Sequence, residues 1–128
     1  MTKVKMKMAE LISHIYQDYV GHWIIQSNEE HSVGVARLAS RFAGEFGMSE
    51  WGKVLGLLHD KGKESHAFQQ HIKKESGYEP DIKVCGNYNH AFIGGVLARK
   101  LYGKSADIFF VNQIVSHHTG LHNYDEIE

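Results

Sequence analysis

Apolar residues recur at helical spacing along most of the chain. After Ser27-Asn28-Glu29-Glu30, they fall on one face of a helix with a period close to 3.6 residues. The Ser-x-x-Glu order of those four residues is typical of a capping box, in which the two side chains bond free backbone N–H groups. The pattern therefore predicts a helix that begins after Ser27 and ends at Gly47.

Five further segments show helical periodicity with suitable start or stop residues. They are an N-terminal helix from about Lys5 to Ile24, a third helix from Ser49 to Gly62, a fourth from Ser65 to about Lys74, a fifth from about Asn89 to Tyr102, and a sixth from Ser105 to Gly120. A polar stretch from Glu75 to Asn89 is predicted to be the one long loop. No segment shows a convincing strand pattern. We therefore expect an all-α, compact bundle of about six helices that forms a single domain over residues 1–128.

Composition restricts the class of function. Fourteen Lys+Arg residues against fifteen Asp+Glu give a net charge of −1. The chain therefore lacks the overall positive charge that would by itself indicate a nucleic-acid binder. The single cysteine excludes an intrachain disulfide and a thiolate-rich zinc site. The first residues lack the continuous apolar core of a signal peptide, and no other segment could span a membrane. A cytoplasmic protein with no membrane partner is expected.

The chain contains ten histidines, an unusual excess for its length. Five lie at helix ends or on helix faces beside apolar residues: His31, His59, His90, His117 and His118. The other five lie in polar surroundings and are expected to be solvated: His14, His22, His66, His71 and His122. Neutral imidazole and ionised carboxylate are ligands for Zn, Fe, Co, Ni and Mn, and His59 is followed directly by Asp60. The first group therefore indicates a metal site. Without a metal, several imidazoles would need hydrogen-bond partners in an apolar interior.

The order of these residues resembles the ligand set of the HD superfamily of metal-dependent phosphohydrolases. More narrowly, three segments resemble the HD nuclease domain of type I CRISPR interference, the nuclease partner of the interference helicase. They are HDKGKESHAFQQHI (His59 to Ile72), NHAFIGGVLA (Asn89 to Ala98) and IVSHHTGL (Ile114 to Leu121). The bare His-Asp pair is a weak signal, but the Asp-x-Gly-Lys-x-Ser-x-x-Phe-Gln run with a later His and a His-His-x-Gly is specific. The resemblance covers about His31 to Leu121, most of the chain.

The resemblance implies that Asp60 bridges two divalent transition-metal ions, with Mn, Fe, Co, Ni or Zn favoured over Mg. The implied ligands are His31, His59 and Asp60 for the first ion, and Asp60, His90, His117 and His118 for the second. It also implies a catalytic role for Lys63 beside Asp60, facing the scissile phosphate or the attacking water. The alternative for Lys63 is a solvated lysine just past a helix end.

The end of the chain departs from the pattern that the resemblance implies. Domains of that kind continue beyond their His-His motif and take a further aspartate for the first metal from there. Here Asp125 follows, and it lies too close to His118 to be a convincing substitute. We therefore expect a C-terminally short version whose first metal ion binds more weakly than the second.

The implied activity is metal-dependent phosphodiester hydrolysis by a CRISPR-associated nuclease that acts on single-stranded DNA, or on RNA. An interference helicase and its effector complex would be the partners. Local lysines would contact the phosphates, unless they are ordinary solvated charges: Lys61, Lys63, Lys73 and Lys74. Two alternatives stay open. A phosphohydrolase of small nucleotides would turn over mononucleotides and leave circular single-stranded DNA intact, and a non-catalytic HD module would bind metal without turnover.

Overall fold

A computed structural model describes residues 10–105 and 107–118. The elements in chain order are strands β1 (Ile12–Gln17) and β2 (Trp23–Ser27), helices α1 (Asn28–Gly44) and α2 (Ser49–Leu58), a 3-10 turn (Lys61–Glu64), helices α3 (His66–Glu75) and α4 (His90–Tyr102), a π-helical turn (Asp107–Val111) and helix α5 (Asn112–Ser116). The described part of the protein is thus mostly helical, as predicted, with five helices and two short helical turns in place of six helices. None of these helices is long and apolar enough to cross a membrane.

The N-terminal helix predicted up to Ile24 is wrong, because this part of the chain forms an antiparallel β-hairpin. In the turn, Asp18 Oδ1 accepts hydrogen bonds from the backbone N–H groups of Val20, Gly21 and His22 at 2.8–2.9 Å. Gly21 has a φ of 100°, which residues with a side chain rarely adopt. The turn reverses the chain, so apolar residues that resembled a helix face lie on two strands. The expectation of no strand is wrong for the same reason.

Two predicted helix starts are confirmed at the level of hydrogen bonds. Ser27 caps α1 by accepting from the Glu30 backbone N–H at 3.1 Å. Ser65 caps α3 in the same way, accepting from the Phe68 N–H at 3.2 Å. The end of α1 comes slightly before the predicted Gly47. Side-chain caps of this kind satisfy N–H groups that the first turn of a helix leaves free.

The other predicted helix ends agree only in part with the structure. Helix α4 stops at Gly103 as predicted, with a φ of 76°. Ser49 is the first residue of α2 and not its cap, which is Met48 with no side-chain hydrogen bond. The sixth helix predicted from Ser105 begins instead as the π-helical turn and continues as the short α5. Its predicted end at Gly120 lies outside the described residues.

The hydrophobic core lies where α4 and the π-helical turn with α5 pack against the end of α2. Its buried members are Leu58, Ala98, Phe110, Val111 and Ile114. Gly94 lets α4 approach closely, because a Cβ added there would lie 2.5 Å from the Leu58 carbonyl oxygen, well inside van der Waals contact. This packing brings the start of α4 and the end of α5 to the residues that follow α2.

The contact between α1 and α2 depends on Gly56. An added Cβ at Gly56 would collide with the Ala36 backbone. We expect Gly56→Ala to lower the midpoint of thermal unfolding by about 5 °C or more, because overpacking typically costs about 1–3 kcal/mol.

Gly34, in the middle of α1, provides the matched control. An added Cβ there meets nothing within 4 Å, and alanine is favoured over glycine inside helices. Gly34→Ala should leave the unfolding midpoint unchanged or raise it. Equal shifts in the two variants, measured by circular dichroism, would show that the helix contact is not the cause.

Candidate metal centre

Asp60 is 3% exposed and lies just beyond the end of α2, separated from it by His59. Its two carboxylate oxygens face different histidines. Oδ2 lies 3.0 Å from His31 Nε2 and 3.1 Å from His59 Nε2. Oδ1 lies 3.1 Å from His117 Nε2 and 3.3 Å from His90 Nε2. One buried carboxylate thus lies between two separate groups of nitrogen atoms.

The six predicted ligands fall into two clusters, and within each the potential ligand atoms lie within 4.8 Å of one another. The first cluster is His31, His59 and Asp60, and the second is Asp60, His90, His117 and His118. In the second, the Nε2 atoms of His90 and His118 lie 2.7 Å apart. These are the two groupings that the resemblance implies. Whether they bind metal stays a prediction.

Two of the histidines are oriented by the helices that they end. Nδ1 of His59 donates to the Gly56 carbonyl at 2.6 Å, and Nδ1 of His117 donates to the Ile114 carbonyl at 2.5 Å. Because Nδ1 carries the proton, Nε2 of the neutral ring has its lone pair directed at Asp60. A lone pair facing a carboxylate is repulsive unless a proton or a cation lies between them. Metal-binding histidines in proteins usually bond their other nitrogen in this way, so the donor set fits a divalent ion.

The charges of the site suit metal binding. Burial favours a raised pKa for Asp60, but hydrogen bonds with His117, His59 and His90 outweigh it and hold this pKa far below its usual range. The hydrogen bond with Asp60 raises the pKa of His117, because a second proton, on Nε2, can lie between that ring and the carboxylate where a metal ion would otherwise lie. Burial lowers the pKa of His31. Asp60 is therefore ionised and His31 neutral at neutral pH, the forms in which they can ligate a metal.

Lys63 is buried, with 5% of its surface exposed, so it is not a solvated lysine. Its Nζ lies 3.0 Å from Asp60 Oδ2 and donates to Ser13 Oγ at 3.2 Å. It also lies 3.5 Å from the Ser13 carbonyl oxygen, so all three N–H groups have partners. Lys63 balances the charge of Asp60 and links the 3-10 turn to β1. Its catalytic role stays a prediction.

Sequence reasoning missed the contribution of the hairpin to the site. His14 is exposed, as predicted, but its ring packs edge-on against His31 with ring centroids 4.7 Å apart. Gln69 on α3 donates to the carbonyl oxygens of Ile12 and Lys63 at 2.8 Å, and it also accepts from the Ile12 N–H at 2.9 Å. Gln69 therefore holds β1 and the 3-10 turn together. No local sequence signal marks the contacts of Gln69 with Ile12, since these two residues are 57 positions apart.

The remaining histidines do not join the clusters. His22 and His66 are exposed, as predicted. His71 is half-buried and stacks on Tyr88 with ring centroids 3.8 Å apart. His122 and the candidate ligand Asp125 lie outside the described residues.

The other lysines predicted to contact phosphate lie at the surface. Lys61 pairs with Glu64 at 2.8 Å, and Lys73 pairs with Glu79 at 3.7 Å. Lys74 is exposed. These positions fit the alternative of ordinary surface charges, so the described structure gives no particular support to a phosphate role.

Metal titration should show two separated affinities, because the second cluster offers four protein ligands and the first offers three, one of them shared. Isothermal titration with Mn²⁺, Co²⁺ or Zn²⁺ would measure both. We expect His118→Ala to weaken the tighter affinity and His31→Ala the weaker one, each by at least about tenfold. Two ions of equal affinity would indicate a ligand beyond the clusters.

Comparison with known proteins supports the same family as the ligand pattern. No curated protein matches the chain significantly. The family model described as the HD domain matches residues 28–127. All six predicted ligands lie within that range, including the His59-Asp60 pair. Because the match covers most of the chain and includes both clusters around Asp60, the chain belongs to the HD domain family.

Proposed function

We propose that this domain hydrolyses phosphodiester bonds with two divalent metal ions bridged by Asp60. HD domains are generally metal-dependent hydrolases. The observation that carries the proposal is the division of four histidine nitrogens between the two oxygens of Asp60. A carboxylate with donors on both sides is suited to hold two ions close together, the arrangement that many enzymes of phosphodiester hydrolysis use.

The proposed substrate is single-stranded nucleic acid, DNA by resemblance, with RNA as the alternative. His118 is exposed and the side chain of His117 is 24% exposed, so solvent reaches the centre on their side. An open centre can accept a phosphodiester within a long chain. By the same resemblance, an interference helicase and its effector complex are the proposed partners.

The chemistry would divide between the ions and the protein. Bound divalent ions supply Lewis acidity, which lowers the pKa of water toward about 7 and neutralises charge on phosphate oxygens. Asp60 provides the negative charge that attracts the ions. His59 and His117 present Nε2 in a fixed orientation, and His90 is held by the Phe68 ring at 5.0 Å between centroids. The protein's part is therefore to position ligands in advance, which lowers the reorganisation needed during the reaction.

Cleavage of circular single-stranded DNA tests the proposal. The protein reconstituted with Mn²⁺, Co²⁺, Ni²⁺ or Fe²⁺ should convert the circles to linear products, and the chelated protein should not. Hydrolysis of mononucleotides with intact circles would favour a nucleotide phosphohydrolase instead. Stoichiometric metal binding without turnover of either substrate would indicate a non-catalytic module.

A further inference from the structure

The hairpin presents an exposed face whose inner end lies against the metal centre. The strand register places His14 opposite Gln26 and Tyr16 opposite Ile24. Side chains paired across antiparallel strands, and those two positions apart on one strand, share a face of the sheet. Tyr16 is 60% exposed and Ile24 is 42% exposed. Since His14 packs against the His31 ring at 4.7 Å, this face is continuous with the first cluster.

Buried hydrogen bonds hold the hairpin at a fixed position relative to the centre. Gln69 bonds both the N–H and the carbonyl of Ile12, at 2.9 and 2.8 Å. Ser13 accepts from Lys63, whose Nζ also contacts Asp60. The strand is thus attached to the same side chains that surround the bridging carboxylate. A ligand that binds this face meets a preformed surface and has little ordering cost to overcome.

The spacing along β1 suits a polynucleotide. Tyr16 lies two positions beyond His14, which is roughly 7 Å along a strand. One stretched nucleotide unit has a comparable length. A strand whose phosphate lies at the metal centre and whose chain continues past His14 would therefore bring one of its bases to the Tyr16 ring. Stacking of unpaired bases on exposed aromatic rings is a usual, sequence-tolerant way to bind single strands.

We propose that Tyr16, with Ile24 beside it, is a stacking platform for an unpaired base of the nucleic acid whose phosphate lies at the metal centre. This inference rests on the proposed function and adds the subsite that selects single strands. Base pairs within a duplex are stacked on one another and offer no free ring face to Tyr16. A protein partner that covers the same face is the competing occupant, and the experiment below separates the two.

Binding is measured by fluorescence anisotropy with the metal-loaded protein and a labelled oligothymidylate whose phosphorothioate linkages resist cleavage. Tyr16→Ala should weaken binding by about tenfold or more, the usual effect of losing one stacked ring. Tyr16→Phe keeps the ring and should bind like the wild type. Tyr19 is the matched control, since it is fully exposed in the hairpin turn and lies outside both strands. Tyr19→Ala should bind like the wild type.

Hydrolysis of methyl p-nitrophenyl phosphate, a small diester without a base, monitors the metal centre alone. The kcat of Tyr16→Ala for this substrate should equal that of the wild type. Unchanged oligothymidylate binding in Tyr16→Ala would overturn the inference and favour a protein partner. An equal loss of small-diester turnover would also overturn it, because Tyr16 would then only support the centre. If the wild type hydrolyses no diester, the proposed function fails, while the anisotropy comparison still decides on the platform.

Discussion

Asp60→Asn should eliminate metal-dependent phosphodiester cleavage, with a loss of at least about 10³-fold, more than one transition-state hydrogen bond usually contributes. The amide has nearly the same shape as the carboxylate but no charge, and it offers one acceptor oxygen where Asp60 offers two. Both clusters around Asp60 lose their shared ligand at once. Elemental analysis should therefore find the bound metal reduced along with the turnover of single-stranded DNA.

Asp107 provides the matched control, because it is also a buried aspartate, 2% exposed, and belongs to neither cluster. Its carboxylate pairs with Arg99 at 3.3 Å. Asp107→Asn should lower the free energy of unfolding and leave metal content and turnover per folded molecule unchanged. If Asp60→Asn keeps its metal and a rate near that of the wild type, Asp60 does not bridge the ions.

Lys63→Met should lower turnover by about 10²-fold or more while metal stays bound, so activity and metal content separate in this variant. Methionine fills much of the volume of the lysine stem, which keeps the loss of packing small. What disappears is the ammonium group 3.0 Å from Asp60 Oδ2, and with it the fixed position of that carboxylate relative to β1. Without the Lys63 ammonium group, the negative charge of Asp60 attracts cations at least as strongly as in the wild type. The metal should therefore remain bound.

Ser13→Ala serves as the milder comparison, because it removes one acceptor from Lys63 and leaves the charge pair with Asp60 intact. Its rate should fall much less than that of Lys63→Met. Turnover and metal content are measured on the same preparations. A wild-type rate in Lys63→Met would mean that the buried lysine has no part in the reaction, and loss of metal would mean that it only supports the fold of the site.

The features that sequence predicted well are those encoded by neighbours along the chain. Ser27 and Ser65 cap helices through N–H groups three residues ahead, so a short segment contains the whole signal. The mostly helical fold was predicted for the same reason, because the apolar periodicity of a helix is also a local pattern. The grouping of the metal ligands came from a different source, the resemblance, which relates the His59-Asp60 pair to histidines far along the chain.

The features that sequence missed depend on distant contacts. Ile12 and Ile15 fit a helix face, and only the turn from Asp18 to Gly21 and the strand-favouring Trp23-Ile24-Ile25 run argue for a hairpin. Lys63 is buried in part because β1, 50 residues away along the chain, lies against it. The residues next to Lys63 in the sequence give no sign that a distant strand covers it. The sequence alone therefore could not exclude a solvated Lys63.

The hydrogen bonds from His59 and His117 to carbonyls of their own helices affect how the protein acquires its metal. Since helix carbonyls and not the ion set the direction of these rings, we expect the domain to fold without an ion. Chelation should leave its far-ultraviolet circular dichroism unchanged, unlike a zinc finger, which unfolds without metal. A binding site that persists when empty exchanges its ions with the surroundings. Which metal the domain carries in a cell is then set by the supply of each ion as much as by the ligands themselves.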